Sequence, residues 1–143
     1  MSSGAASPVE ATHPGGLSAF GAPLLVLDSI SQAVGCASHC VVVSGSHGGV
    51  SAGRFALQAG LKLAVFNDAG VGKDDAGIAA LPLLQAQGIA ACTVAHTSAR
   101  IGDAASTLDS GLISHVNAAA AGLGARAGLP LRQWLLSTPS SGS

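Results

Sequence analysis

Three short apolar runs, each stopped by a polar segment containing glycine, constrain this chain more than any other feature. They are residues 40–44 (CVVVS) before 45–49 (GSHGG), residues 61–66 (LKLAVF) before 67–77 (NDAGVGKDDAG), and residues 89–95 (IAACTVA) before 96–103 (HTSARIGD). Residues 23–27 (PLLVL), ahead of Asp28, make a further strand candidate. These runs are continuously apolar rather than alternating. Strands of that kind are buried on both faces, as in a parallel sheet.

Helical stretches fall between the runs. Residues 51–59 end at Gly60, a natural left-handed stop. Residues 76–87 space Ile78, Leu81 and Leu84 three apart and end at Gly88, with Pro82 predicting a kink or a restart. Ser106-Thr-Leu-Asp109 has the form of a capping box. It predicts a helix that carries Leu108, Leu112, Val116 and Ala119 on one face and ends near Gly122 or Gly124. His115 and Asn117 fall inside it, which reads His115 as a core or interface histidine. Residues 129–136, with Trp134, form a last amphipathic piece.

Strand–helix alternation with short links predicts an α/β fold: a single small domain of three to four mostly parallel strands with helices on both faces. Residues 1–21 read as a flexible N-terminal arm, 22–136 as the α/β domain and 137–143 as a flexible C-terminal tail.

Charge narrows the partners. The chain has 6 Lys+Arg, 7 Asp+Glu and a formal net charge of −1, and only 9% of its residues are charged. No basic surface is available for nucleic acid, and no basic cluster for an anionic membrane. No apolar run reaches the roughly 18–20 residues of a membrane helix. The N-terminus lacks the pattern of a secretory signal. Three cysteines are an odd number, so no disulfide framework is expected, and a cytoplasmic setting is. A weakly charged, alanine-rich surface repels copies of itself weakly and predicts a homo-oligomer.

Ligands of open α/β sheets bind beyond the carboxyl ends of the strands. This chain gathers Asp68, Lys73, Asp74, Asp75, Arg100 and Asp103 into two post-strand loops, and His47 and His96 follow strands directly. Opposite-edge loops are nearly free of charge. The expectation is one shared site at the post-strand rim. Ser44, Gly45, Gly48 and Gly49 would supply hydroxyl and N–H donors to an anion or oxyanion, with the glycines allowing close backbone approach. His47 and His96 would move protons, Asp68 would orient or share in acid/base work, and Ser46 or water would attack. Asn67, Lys73, Ser98, Arg100 and Asp103 would hold the substrate. Asp74 or Asp75 would cap the next helix.

Other motifs fall short. The loop at 45–49 is neither a Walker A loop nor a dinucleotide fingerprint. Gly49-Val-Ser-Ala-Gly53 has the letters of a nucleophile elbow, yet Ser51 lies too far past its strand. Cys36, His39 and Cys40 lack the paired knuckles of a zinc site, and Cys92 reads as core. No metal and no cofactor is expected.

The reading that follows is a small cofactor-independent enzyme acting on a compact polar or anionic metabolite. It would be a hydrolase of an amide-like or ester-like bond, or an isomerase or lyase working by proton transfer. The alternative is a non-enzymatic small-ligand-binding or regulatory subunit of an oligomeric complex.

Overall fold

The aliphatic runs become strands. In a computed structural model, which describes residues 18 and 20–136, five of them form one sheet. They are β1 (Leu24–Leu27), β2 (Val41–His47), β3 (Leu63–Asn67), β4 (Ala90–Val94) and β5 (Ile113–Val116), and they lie side by side in sequence order. β1 to β4 are parallel, and β5 pairs antiparallel with β4. The chain is α/β with a mostly parallel sheet, as expected, but it has five strands rather than three or four.

Alternate side chains of the central strands enter two separate cores. Val41, Val43, Leu63, Val65, Cys92 and Val94 join Leu108, Leu131, Trp134 and Leu135 on one face. Val42, Ala64, Phe66 and Ala91 join Ile30, Ala56, Ala80 and Leu84 on the other. Strands buried on both faces explain the unbroken apolar runs. Cys92 is fully buried, and burial pushes its thiol up to about 12.

The second face is covered by the connections: a 3-10 turn (Ile30–Ala33), α1 (Val50–Ala59) and α2 (Ala80–Gln85). Connections of one hand, added always toward the same edge, keep their helices on one side. The first face is therefore left to the C-terminal third: α3 (Ala104–Ser110), α4 (Ala118–Gly122) and α5 (Leu131–Leu136). α1 ends at Gly60 with φ +69°, as its sequence predicts. Pro82 lies in the first turn of α2, where a missing N–H costs no helical bond, so the chain restarts there instead of kinking.

The long helix predicted from Ser106 does not form. Asp103, three residues earlier, is the N-cap of α3, and its carboxylate accepts from the Ser106 N–H at 3.0 Å. α3 stops at Gly111, where any Cβ would run into the Thr107 carbonyl and the Val94 side chain. The tight exit sends residues 113–116 into the sheet. Asn117 then ties the strand down, since its side chain accepts from the Ala91 and Ala120 N–H groups and donates to the Ile89 carbonyl.

β2 also runs further than predicted. It continues through His47, with a register break against β3 between Val43 and His47. Gly45 and Ser46 therefore belong to a strand, and only Gly48 and Gly49 remain as the turn into α1.

Most of the predicted arm and all of the tail lie outside the described residues. At the arm's inner end, Phe20 meets Trp134 edge-on with ring centroids 5.2 Å apart, and the Ser18 hydroxyl donates to the Ala22 carbonyl. No helix among the described residues is long and apolar enough to cross a membrane.

Gly45 is pressed against the Gly102–Asp103 backbone, and its carbonyl accepts from the Gly102 N–H at 2.7 Å. Gly45→Ala is expected to lower stability by about 1–3 kcal/mol, since neither backbone can give way. A denaturation midpoint equal to wild type would contradict this contact. In the native protein a thiol reagent should modify exposed Cys36 and spare Cys92 until the fold is opened. Mass spectrometry of the labelled peptides decides this.

Candidate functional site

A single buried carboxylate organises the carboxyl end of the sheet. Asp68 follows β3 directly and is only 4% exposed. Its Oδ1 accepts from the Gly70 N–H at 2.8 Å and from the His96 N–H at 3.1 Å. Burial opposes its ionisation, but the Gly70 and His96 N–H groups, the nearby Ser114 hydroxyl and the attraction of the His96 ring outweigh burial and hold the carboxyl below its ordinary value of 3.8. Asp68 is therefore a fixed negative charge.

Two imidazoles face this charge. His96 Nδ1 lies 3.4 Å from Oδ1 and His115 Nδ1 lies 3.9 Å from Oδ2. Their side chains are 52% and 40% exposed, so each keeps an edge in solvent. His96 comes from the end of β4, and Gly70 leaves room beneath it: a Cβ there would sit 3.4 Å from the ring. His115 comes from β5, directly across from Thr93.

Hydroxyls complete the cluster. Ser114 Oγ is 2.8 Å from Thr93 Oγ1 and 3.3 Å from His115 Nδ1. Thr93 is fully buried.

The loop after Asp68 is held in unusual backbone. Ala69, Val71, Asp74 and Asp75 all have positive φ, at 52°, 70°, 57° and 58°. Val71 is the centre of a γ-turn closed by the Gly72 N–H on the Gly70 carbonyl at 2.8 Å. Such conformations cost on the order of 1–3 kcal/mol per residue and collect at functional sites. Gly77 closes the loop under Asp68, because a Cβ there would collide with the Asp68 carbonyl.

His115 lines a groove of about 610 Å³ between this loop, α2 and β5. Its walls carry Leu81, Pro82 and Val116, and its charged groups are Asp74 and Asp75. Neither aspartate caps α2, contrary to expectation, for α2 has no side-chain cap bond.

The other predicted site residues divide among different tasks. Ser46 and His47 line a second hollow of about 390 Å³ with Ser51, Phe55 and Ile101. The Ser46 oxygen accepts from the Ile30 N–H at 3.0 Å. Ser98 and Arg100 line a shallow third hollow of about 340 Å³ with His96. Ser98 Oγ donates to the Ala95 carbonyl and accepts from the Leu112 N–H, bracing the β4–β5 connection. Arg100 reaches Asp103 at 3.9 Å. Lys73 is exposed and outside the groove. Ser44 and Asn67 are fully buried and hold backbone: Ser44 Oγ donates to the Val65 carbonyl, and Asn67 Nδ2 to the Ala99 carbonyl. Gly48 and Gly49 serve close packing against the Gly77 carbonyl and the His47 ring. The predicted groups thus lie along one edge of the sheet, but those that line a hollow divide between the second and the third, and none lines the 610 Å³ groove.

Ser114 and His115 were assigned to a helix by their sequence, so their place beside Asp68 was missed. The alternation Ile113-Ser-His-Val116, just past Gly111, is the signal that could have found it.

Among the described residues no group of three or more His, Cys, Asp and Glu side chains is placed to hold a metal ion. No protein-family model matches the chain, and neither the curated proteins nor the solved structures yield a match.

The lowered pKa of Asp68 has a signed consequence for stability. Its contribution is complete above the ordinary carboxyl value and is lost as pH falls through the lower, folded value. Denaturation midpoints of Asp68→Asn should therefore be lower than wild type at neutral pH and fall less steeply in acid. Parallel wild-type and variant curves would show that Asp68 gains nothing from its partners.

Proposed function

We propose that the chain is a small acid/base enzyme in which His115 acts from the 610 Å³ groove. The observation that carries this reading is the contact of one buried, ionised carboxylate with the Nδ1 atoms of two imidazoles. A carboxylate facing Nδ1 orients the ring and leaves Nε2 for a substrate.

Hydrolysis follows from these parts. His115 Nε2 takes a proton from water, and the water oxygen bonds to an amide-like or ester-like carbonyl carbon. The same nitrogen returns the proton to the leaving group as its bond to carbon breaks. No cofactor is needed for these transfers. Isomerisation or elimination by proton transfer uses the same base and remains the closest variant of this reading. Water fits as the attacking group better than Ser46, whose hydroxyl stands in a different hollow. His96, half exposed on the other carboxylate oxygen, modulates the charge that His115 feels.

The groove favours a compact polar substrate that is neutral or cationic. Asp74 and Asp75 line it, whereas the cations expected to bind an anion, Lys73 and Arg100, do not.

The second hollow supports the alternative of ligand binding without chemistry. It offers Ser46, Ser51 and the exposed His47 beside apolar Phe55 and Ile101, and its carboxylate, Asp28, accepts from the Ala104 N–H at 2.9 Å.

A panel of small chromogenic esters and amides tests the first reading, together with solvent-deuterium exchange into carbon acids. His115→Ala is expected to reduce turnover about 10²–10⁴-fold. His96→Ala should shift the pH profile, and His47→Ala should leave turnover near wild type. Full activity in His115→Ala would remove the assignment.

A further inference from the structure

We propose that Gln85 is the specificity-determining residue of the 610 Å³ groove, and that its side-chain N–H groups hold the carbonyl oxygen of an amide-like or ester-like ligand. This inference rests on the acid/base reading of the same groove and names the group that recognises its substrate.

A count of donors leads to it. His115, Gln85 and Asn117 are the side chains lining the groove that can donate a hydrogen bond. Asn117 has nothing left to offer. Its Nδ2 donates to the Leu81 carbonyl at 3.2 Å and to the Ile89 carbonyl at 2.9 Å, and its Oδ1 accepts from the Ala91 and Ala120 N–H groups. Both hydrogens and both lone pairs are in use. His115 is the base. Gln85 is the donor that remains.

Gln85 is held at one end and open at the other. Its side chain accepts from the Ala119 N–H at 2.7 Å. A backbone N–H only donates, so the atom it meets is Oε1, and Nε2 is the free end. Among the described residues Nε2 has no hydrogen-bond partner, and no side-chain nitrogen or oxygen lacking a partner is buried. Nε2 is therefore open to solvent, on a residue that lines the groove. Ala119 lies in the first turn of α4, where N–H groups have no partner within the helix. The bond gives this N–H an acceptor and restrains the carboxamide, so less freedom is lost when a ligand arrives.

The rest of the lining says what this donor selects. A free N–H needs an acceptor, and a carbonyl oxygen is the acceptor that amides and esters share. A carboxylate would accept as well, but Asp74 and Asp75 line the same groove and oppose a further negative charge. Leu81, Pro82 and Val116 offer apolar wall to a short aliphatic chain beside the carbonyl.

The test uses the whole chain and N,N-dimethylisobutyramide, a neutral probe with a carbonyl acceptor and no donor. Binding is followed by NMR of the ¹⁵N-labelled side-chain amides and of the His115 ring. The Gln85 signals are assigned by their loss in Gln85→Glu. In wild type they should move saturably with those of His115. Gln85→Glu keeps an acceptor for the Ala119 N–H and nearly the same volume, but removes both donors. The probe should then bind about 2–10-fold more weakly, read from the His115 ring. Gln85 signals that stay still while His115 titrates overturn the proposal, and this arm needs no folded variant. An unchanged affinity in Gln85→Glu, the result of a purely structural tie to Ala119, also overturns it. So does a probe that moves neither residue. The readout needs no turnover, so the two ideas fail separately. Gln85-dependent binding in a protein that turns nothing over supports the recognition role and defeats the enzyme reading. Loss of turnover in His115→Ala, with probe affinity indifferent to Gln85, does the reverse.

Discussion

The winding of the sheet in one direction governs the rest of this molecule. Four parallel strands laid down in sequence order place α1, α2 and the first 3-10 turn on one face. The other face presents Val41, Val43, Leu63, Val65 and Cys92 and has to be covered. A buried valine or leucine is worth about 1.5–3 kcal/mol, so leaving this face in water would cost more than a small domain's whole stability. The C-terminal third supplies the cover through Leu108, Leu131, Trp134 and Leu135. Reversing direction to do so creates the antiparallel strand β5, and β5 delivers Ser114 and His115 to the end of β4.

The same winding explains where the candidate site stands. An open sheet usually offers a crevice where strand order reverses. This order never reverses, so no such crevice exists. The groove forms instead where strand direction changes, between β5 and the strained loop that follows β3. Asp68 sits at this seam, accepting hydrogen bonds from the Gly70 and His96 N–H groups while His115 of β5 faces it. Glycines, among them two read from the sequence as ligand-binding, have a packing role that follows from the same crowding. Gly45, Gly48, Gly77 and Gly111 each lie where a Cβ would meet neighbouring backbone.

Much of this was legible beforehand. The apolar runs around Val41–Val43, Leu63–Phe66 and Ala90–Val94 announced strands buried on both faces, because no charged position interrupts them and Thr93 is their one polar residue. Gly60 and Gly88 marked left-handed stops, and both have positive φ. Asp68 and His96 stood out because charged and imidazole groups are scarce here and followed strands directly. The segment after Ser106 misled for a physical reason. Leu108, Leu112 and Val116 are spaced four apart, which suits a helix, while the crowding that makes Gly111 a stop involves Val94, a residue remote in sequence.

What the sequence by itself determined is the chemistry of each strand and its ends: which stretches are apolar on both faces, where backbone must turn left-handed, and which few groups can carry charge. Only the tertiary structure decided which of those groups meet. Ser44, Asn67, Ser98 and Asp103 look as reactive as Asp68 when read in a line, yet their side chains hold backbone donors and acceptors in place. The difference lies in pairing across strands. The partners of Asp68, His96 and Ser114 are set by sheet register and by the packing demand of a face that the chain must return to cover, and neither is a property of any local stretch.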